Sequence, residues 1–305
     1  MAFKAGGDGT ISESVSTVGA TLSITASDAG GVGGATGTAA TMTLTGAIGS
    51  SGSGAVTLVN DGSGGIKVGN NVTSGGNVTF TGAVILTGNA TVTGNAVSFS
   101  STVNGTTAGT QALTVNGSGA TTFSSTIGAT TSLSSLTTDS TGSTVLTGNV
   151  TTSGAQTFND AVTVNASTTL TSSSSGNITL ASTVTPDTSA RTLTVNTAGV
   201  TKFGGAVGTG TAFLSLTTDA AGTTVLQGGT IRTTDSGTSG GQTYNDDVVI
   251  AADTTLTHVQ VLAGKPFAFG KTVNADLAGN NRVLTLNNSG TNTFSGIVGG
   301  TQRLG

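Results

Sequence analysis

The sequence predicts an all-β chain, a right-handed parallel β-solenoid (β-helix) built from repeats of about 80 residues with several coils in each. Three observations lead there. Leu113-Thr114-Val115-Asn116, with Gly119 and Phe123, returns 80 residues later as Leu193-Thr194-Val195-Asn196 with Gly199 and Phe203. After a further 91 residues it returns as Leu284-Thr285-Leu286-Asn287 with Gly290 and Phe294. Within a copy, apolar residues alternate with Thr, as in Leu113/Val115 around Thr114 and Val162/Val164 around Thr163, a period of two that sends one set inward. Short Val/Thr/Ile/Phe runs are punctuated by Asn-Gly and Asp-Gly turns (Asn104-Gly105, Asn116-Gly117, Asp61-Gly62).

Taken along the chain, residues 1–40 read as a degenerate first repeat or N-terminal coils, and 41–112 as a repeat. Here Leu58, Asp61, Gly64 and Val72 match Leu136, Asp139, Gly142 and Val150. Residues 113–192 and 193–283 are the clearest copies: Ser135-Leu136-Thr137-Thr138-Asp139 recurs as Ser215-Leu216-Thr217-Thr218-Asp219. Gln156-Thr157-Phe158-Asn159-Asp160 is answered by Gln242-Thr243-Tyr244-Asn245-Asp246 at an offset of 86, which places an insertion near 232–241. Insertions fall in Gly/Ser/Asp-rich stretches while the apolar order is kept, as loops and core strands behave. Residues 284–305 are a truncated repeat, and all five segments form one continuous solenoid. An 80-residue sandwich would want larger core residues than ten Phe and one Tyr supply, whereas narrow coils are filled by Val, Leu, Ile, Ala and Thr. About four coils per repeat, stacked at ~4.8 Å, would give a rod on the order of 70–80 Å long.

Composition narrows function. Charged residues are 7% of the chain, with 50 Gly, no Cys and no Trp. Nine Lys and Arg over the whole length make no basic stripe for nucleic acid. No apolar run approaches the ~18 residues of a membrane span. Absent Cys excludes a disulfide framework and thiolate metal sites. Met1 to Gly6 lack the apolar core of a signal peptide, so an export signal is not in this chain.

The phrases Gly-Ala-Gln-Thr-Phe-Asn-Asp-Ala-Val-Thr-Val (154–164), Ser-Gly-Asn-Ile-Thr-Leu (175–180) and Leu-Thr-Leu-Asn-Asn-Ser-Gly-Thr-Asn-Thr-Phe-Ser-Gly (284–296) resemble the β-strand repeats of bacterial surface exoproteins of the filamentous-haemagglutinin and autotransporter-adhesin type. The resemblance covers most of the chain from about residue 40 onward and is specific for architecture rather than ligand. It implies a right-handed parallel β-helix displayed on, or released from, a bacterial cell, in adhesion or matrix building. The chain departs from such proteins in showing no distinct N-terminal secretion cap, and it reads as an excerpt.

Candidate sites are few. Asp61, Asp139 and Asp219 recur at one repeat position and are weak candidates for a calcium ladder along one corner; a turn in which Asp bonds its own backbone accounts for them more simply. Asp235, Asp246, Asp247 and Asp253 form the best acidic cluster, and with Arg232 beside them Arg232, Asp235, Asp246 and Asp247 are the residues that could line a polysaccharide groove. Asn159-Asp160 and Asn245-Asp246 read as turns, and Tyr244 as an aromatic packing position with its hydroxyl toward solvent. His258, the single histidine, reads as a surface or loop residue. A single glutamate leaves no catalytic residue to name, and no cofactor or metal is called for.

The expectation is a non-enzymatic, extracellular or cell-surface stalk or fibre of a bacterial adhesin or biofilm matrix protein. Its partners would be itself, end to end or laterally, or a host or matrix polysaccharide or surface. The alternatives are a filament subunit stacking through open ends, a polysaccharide-binding or polysaccharide-cleaving β-helix and, least, an ice-binding solenoid carried by Thr-x-Thr pairs such as Thr169/Thr171.

Overall fold

The chain was studied as a computed structural model, which describes residues 2–6, 9–27, 40–236, 239–259 and 265–305. Part of the degenerate first repeat (28–39) and positions 237–238 of the insertion lie outside the described residues. The described residues form strands and no helix, stacked in parallel as a β-solenoid of about 11 turns in all. They divide into two compact units, Met1–Val145 and Leu146–Gly305.

In Met1–Val145 each turn supplies one strand to each of three parallel ladders. The first runs through Val56–Asn60, Val78–Thr81, Val97–Phe99 and Ala120–Phe123. The second runs through Met42–Leu44, Ile66–Val68, Val84–Leu86 and Val103–Gly105. The third runs through Ile48–Ser50, Val72–Ser74, Ala90–Gly94, Ala112–Gly117 and Ser135–Thr138. Strands are short, three to six residues, because each corner costs the chain a turn, and within them burial alternates as the period of two requires.

Parallel pairing in this register places like on like. Val78 lies against Val97, and Phe80 against Phe99 against Phe123. The three rings stack with centroids 4.8 and 5.0 Å apart and planes within 6°, so ring spacing follows strand spacing. Corners are tied by side chains: Asn71 Oδ1 accepts from the N–H of Thr91 (2.9 Å) and Asn89 Oδ1 from Ala112 (2.9 Å), each one turn on. This satisfies amides that a corner would otherwise leave without a partner.

Leu146–Gly305 is built the same way. Its first ladder contains Val150–Thr152, Thr168–Ser172, Thr192–Thr197, Ser215–Thr218, Ser239–Tyr244, Phe267–Phe269 and Thr293–Phe294. Its second contains Gln156–Phe158, Ile178–Leu180, Val200–Phe203, Thr223–Leu226, Asp247–Ile250 and Val273–Ala275. Its third contains Ala161–Val164, Val184–Pro186, the bridged Val207, Thr230–Ser236, Thr254–Val259 and Leu284–Asn287. The insertion appears as a local antiparallel pairing, Asp235 with Gly240 and Ser236 with Ser239, between strands of the third and first ladders. At the end of the stack Phe294 packs on Phe269 (4.7 Å) from one side only and stays 39% exposed.

The repeat and the turn do not share a period. From Leu193 to its counterpart Leu284 the chain passes eleven strand positions, Val207 counted as one, and at three positions per turn this is three and two-thirds turns. Leu193 accordingly sits in the first ladder and Leu284 in the third. Leu58 and Leu136 in Met1–Val145 are likewise eleven positions apart, with Ile127 counted, and fall in the first and third ladders. The expected four coils per repeat is therefore one third of a turn too many.

Candidate functional site, a buried polar cluster beneath the insertion

The repeat mismatch separates the recurring aspartates. Asp61 follows a strand of the first ladder and Asp139 a strand of the third, so these two stand at different corners and do not line up along one edge. Nor do these residues cap their own turns alone. Asp139 Oδ1 accepts from the N–H of Gly117 (3.0 Å), 22 residues back, while the Thr141 hydroxyl donates to Oδ2. Asp219 Oδ1 accepts from the N–H of Thr197 (3.1 Å), again 22 residues back. They clip one turn to the turn before it. Among the described residues no group of three or more His, Cys, Asp or Glu could hold a metal ion.

The groove expected from Arg232, Asp235, Asp246 and Asp247 is not built, because strand alternation sends its members to opposite faces. Arg232 lies on the outward face of Thr230–Ser236, while Asp235, three residues on, is buried at 6% exposure. Asp246 points inward and is 1% exposed; its carboxylate accepts from the hydroxyls of Thr218 (2.7 Å) and Thr224 (2.8 Å). Asp247 points outward and accepts from the amide (3.1 Å) and hydroxyl (2.6 Å) of Thr272. These bonds hold the Asp247 carboxyl below its ordinary range, Thr272 being the main cause.

Burial has the opposite effect on Asp246, pushing it up against the opposing pull of the two threonine hydroxyls. Its protonation therefore favours the folded state: that contribution is full in acid and is withdrawn as pH rises through the folded-state value. The variant Asp246→Asn, which retains an acceptor for Thr218 and Thr224, should gain stability relative to the native chain between acid and neutral pH. Urea unfolding at both pH values measures this, and a pH-independent difference would contradict it.

Five side chains that alternation turns inward meet beneath the insertion. His258, expected at the surface, is 4% exposed on Thr254–Val259, because it shares the inward parity of Leu256. Its Nδ1 lies 3.1 Å from Thr233 Oγ1, and its Nε2 lies 3.7 Å from Asp235 Oδ2 with no nearer hydrogen-bond partner. The side chains of His258 and Asp235 are both fully buried. Gln242 Nε2 donates toward Thr233 Oγ1 and the carbonyls of Ile231 and Thr257, each at 3.3 Å. The Tyr244 hydroxyl, expected to reach solvent, is buried and donates to Gln242 Oε1 at 2.9 Å. A Tyr placed inward on a strand needs such an acceptor.

The charge states follow from this setting. Burial lowers the His258 pKa; Asp235 opposes the effect and Lys265 adds to it, so the imidazole is neutral at neutral pH. The carboxylate facing Nε2 favours the tautomer with its proton on Nε2, which leaves the Nδ1 lone pair toward Thr233. Burial, and then the neighbouring Asp246, push the Tyr244 hydroxyl far up, keeping it a proton donor.

The preceding repeat supplies a comparison within the same unit. Gln156 occupies the place of Gln242, and its Nε2 donates to Thr152 Oγ1 (3.2 Å) and the carbonyls of Val150 (3.3 Å) and Thr171 (2.8 Å). Phe158 stands where Tyr244 does, Ser172 where His258 does, and Gly154 where Asp235 does. Gln156 Oε1 is accordingly left buried with no hydrogen-bond partner. The Thr–Gln pair is common to these two copies, whereas Ser74 and Val78 hold its places in the 41–112 repeat; the His, Asp and Tyr around it belong to the later copy alone.

No protein-family model matches this chain, and no curated protein or solved structure matches it either. Among the described residues no helix is long and apolar enough to cross a membrane.

Proposed function

We propose that the chain is a non-catalytic structural segment, the stalk or fibre of a bacterial surface adhesin or matrix protein of the filamentous-haemagglutinin type. The observation that carries this reading is where the recurring residues lie. Leu113, Val115 and Phe123 and their counterparts Leu193, Val195 and Phe203 are all inward and at most 1% exposed. The recurring corner residues Asp139 and Asp219 spend their carboxylates on the neighbouring turn. Repetition thus preserves what builds coils: the inward apolar residues, the Thr residues that alternate with them, and the corner residues that clip one turn to the next, as a scaffold requires. Parallel ladders that pair each turn with the next also shelter the backbone from proteases. The test is to label intact source cells with antibodies raised against the folded chain. Labelling before permeabilisation is expected, and labelling only afterwards would refute a surface role. Binding of a polysaccharide that is lost on replacing Arg232 or Asp247 by Ala would put a carbohydrate-recognition role in its place.

A further inference from the structure

We propose that Thr233 and Gln242 become joined by an intramolecular ester, formed by the folded chain itself with release of ammonia. The inference does not rest on the surface-protein reading. Each component of an acyl transfer is present and buried. The nucleophile is Thr233 Oγ1, 0% exposed. The base is His258 Nδ1 at 3.1 Å, and Asp235 faces the other ring nitrogen at 3.7 Å. The electrophile is the Gln242 carboxamide, whose nitrogen is 3.3 Å from the same Oγ1. The Tyr244 hydroxyl, 2.9 Å from Gln242 Oε1, stands where an oxyanion would develop.

The step balances without an external reagent. Thr233 Oγ attacks Gln242 Cδ as its proton passes to His258 Nδ1, and negative charge gathers on Oε1 against the Tyr244 O–H. The tetrahedral centre then collapses: the Cδ–Nε2 bond breaks, His258 returns the proton to the departing nitrogen, and ammonia leaves. One C–O bond replaces one C–N bond, and nothing is oxidised or reduced. Asp235 orients His258 and steadies its cationic form, a positioning role. Burial of the site keeps water from competing with Thr233 for the acyl carbon. The product closes a ring around the antiparallel pair Asp235–Gly240 and ties a strand of the third ladder to one of the first. Ammonia loss is irreversible in dilute solution, so the link would hold the insertion permanently against the coil.

The experiment is intact-mass spectrometry on the purified full chain. The expected result is a mass about 17 Da below that of the sequence, the mass of ammonia, with peptide mapping placing the link between Thr233 and Gln242. His258→Gln should retain the full mass, and Tyr244→Phe should form the link roughly 100-fold more slowly. Thr152→Val should form it as the native chain does. Because His258→Gln alters a buried cluster, circular dichroism first establishes that it folds. If it does not, hydroxylamine treatment of the native chain decides instead: reversal of the link, leaving a hydroxamate at Gln242, supports the ester. A folded native chain that stays at full mass after prolonged incubation at neutral pH overturns the proposal. So does a loss of the same size mapped to Asn104-Gly105 or Asn116-Gly117, where succinimide formation also releases ammonia, and so does a link that hydroxylamine leaves intact.

Discussion

Phe99→Ala should lower the stability of the Met1–Val145 unit by about 3–5 kcal/mol, the range for emptying a buried Phe site. Phe99 is 1% exposed and sits between Phe80 and Phe123, with ring centroids at 4.8 and 5.0 Å. Truncation removes two stacking contacts as well as the buried area, and neither flanking ring can close the gap while strand pairing fixes its position. Urea unfolding followed by circular dichroism measures the change. Ser98→Ala, on the outward face of the same strand, should stay within about 0.5 kcal/mol. A Phe99→Ala loss under about 1 kcal/mol would mean that the stack is not a continuous packed column.

Gly142→Ala should be nearly as damaging, for a reason that has nothing to do with apolar area. Gly142 adopts φ +71°, and a Cβ there would lie 1.9 Å from the carbonyl oxygen of Gly119 on the preceding turn. No rotamer relieves a clash with backbone, so the two turns must separate at that corner, at a cost of at least about 3 kcal/mol in strain and lost pairing. Gly19 shares the left-handed conformation (φ +67°) but has nothing within 4 Å of the added atom. Gly19→Ala should therefore cost only the conformational penalty, about 1–2 kcal/mol. The contrast separates close approach of turns from backbone strain, and equal losses at both positions would refute it.

The architecture was legible because its signals are local and repeated. Thr-flanked Leu113, Val115 and Leu170 announce alternation, and their recurrence announces stacking. The clips made by Asp139 and Asp219 were not legible, since their partners lie 22 residues away and the coil length is nowhere written as a period. The dominant sequence period is about 80 residues, while a turn takes 19 residues between Val78 and Val97 and 24 between Val97 and Thr121. The buried cluster did leave a signal. His258 shares the parity of Leu256, and Asp235 that of Ile231, both of them core residues. Aligning Ser172 with His258, Gly154 with Asp235 and Phe158 with Tyr244 would have shown three changes gathered around one unchanged Thr–Gln pair. Rarity and charge instead drew His258 and the aspartates to the surface, where such residues usually sit.

The offset between eleven strand positions and three ladders bears on how such a chain can lengthen. A gene that grows by copying this segment adds a fractional number of windings, so each new copy begins on another side. Whatever a corner of one copy carries, whether a loop, a hairpin or a charged residue, its duplicate points a third of a circle away. Only the fourth copy comes back into line with the first. Growth by duplication thus winds ornament around the molecule like the steps of a spiral stair, and identical edges are kept from lying in rows where neighbouring molecules could zip together.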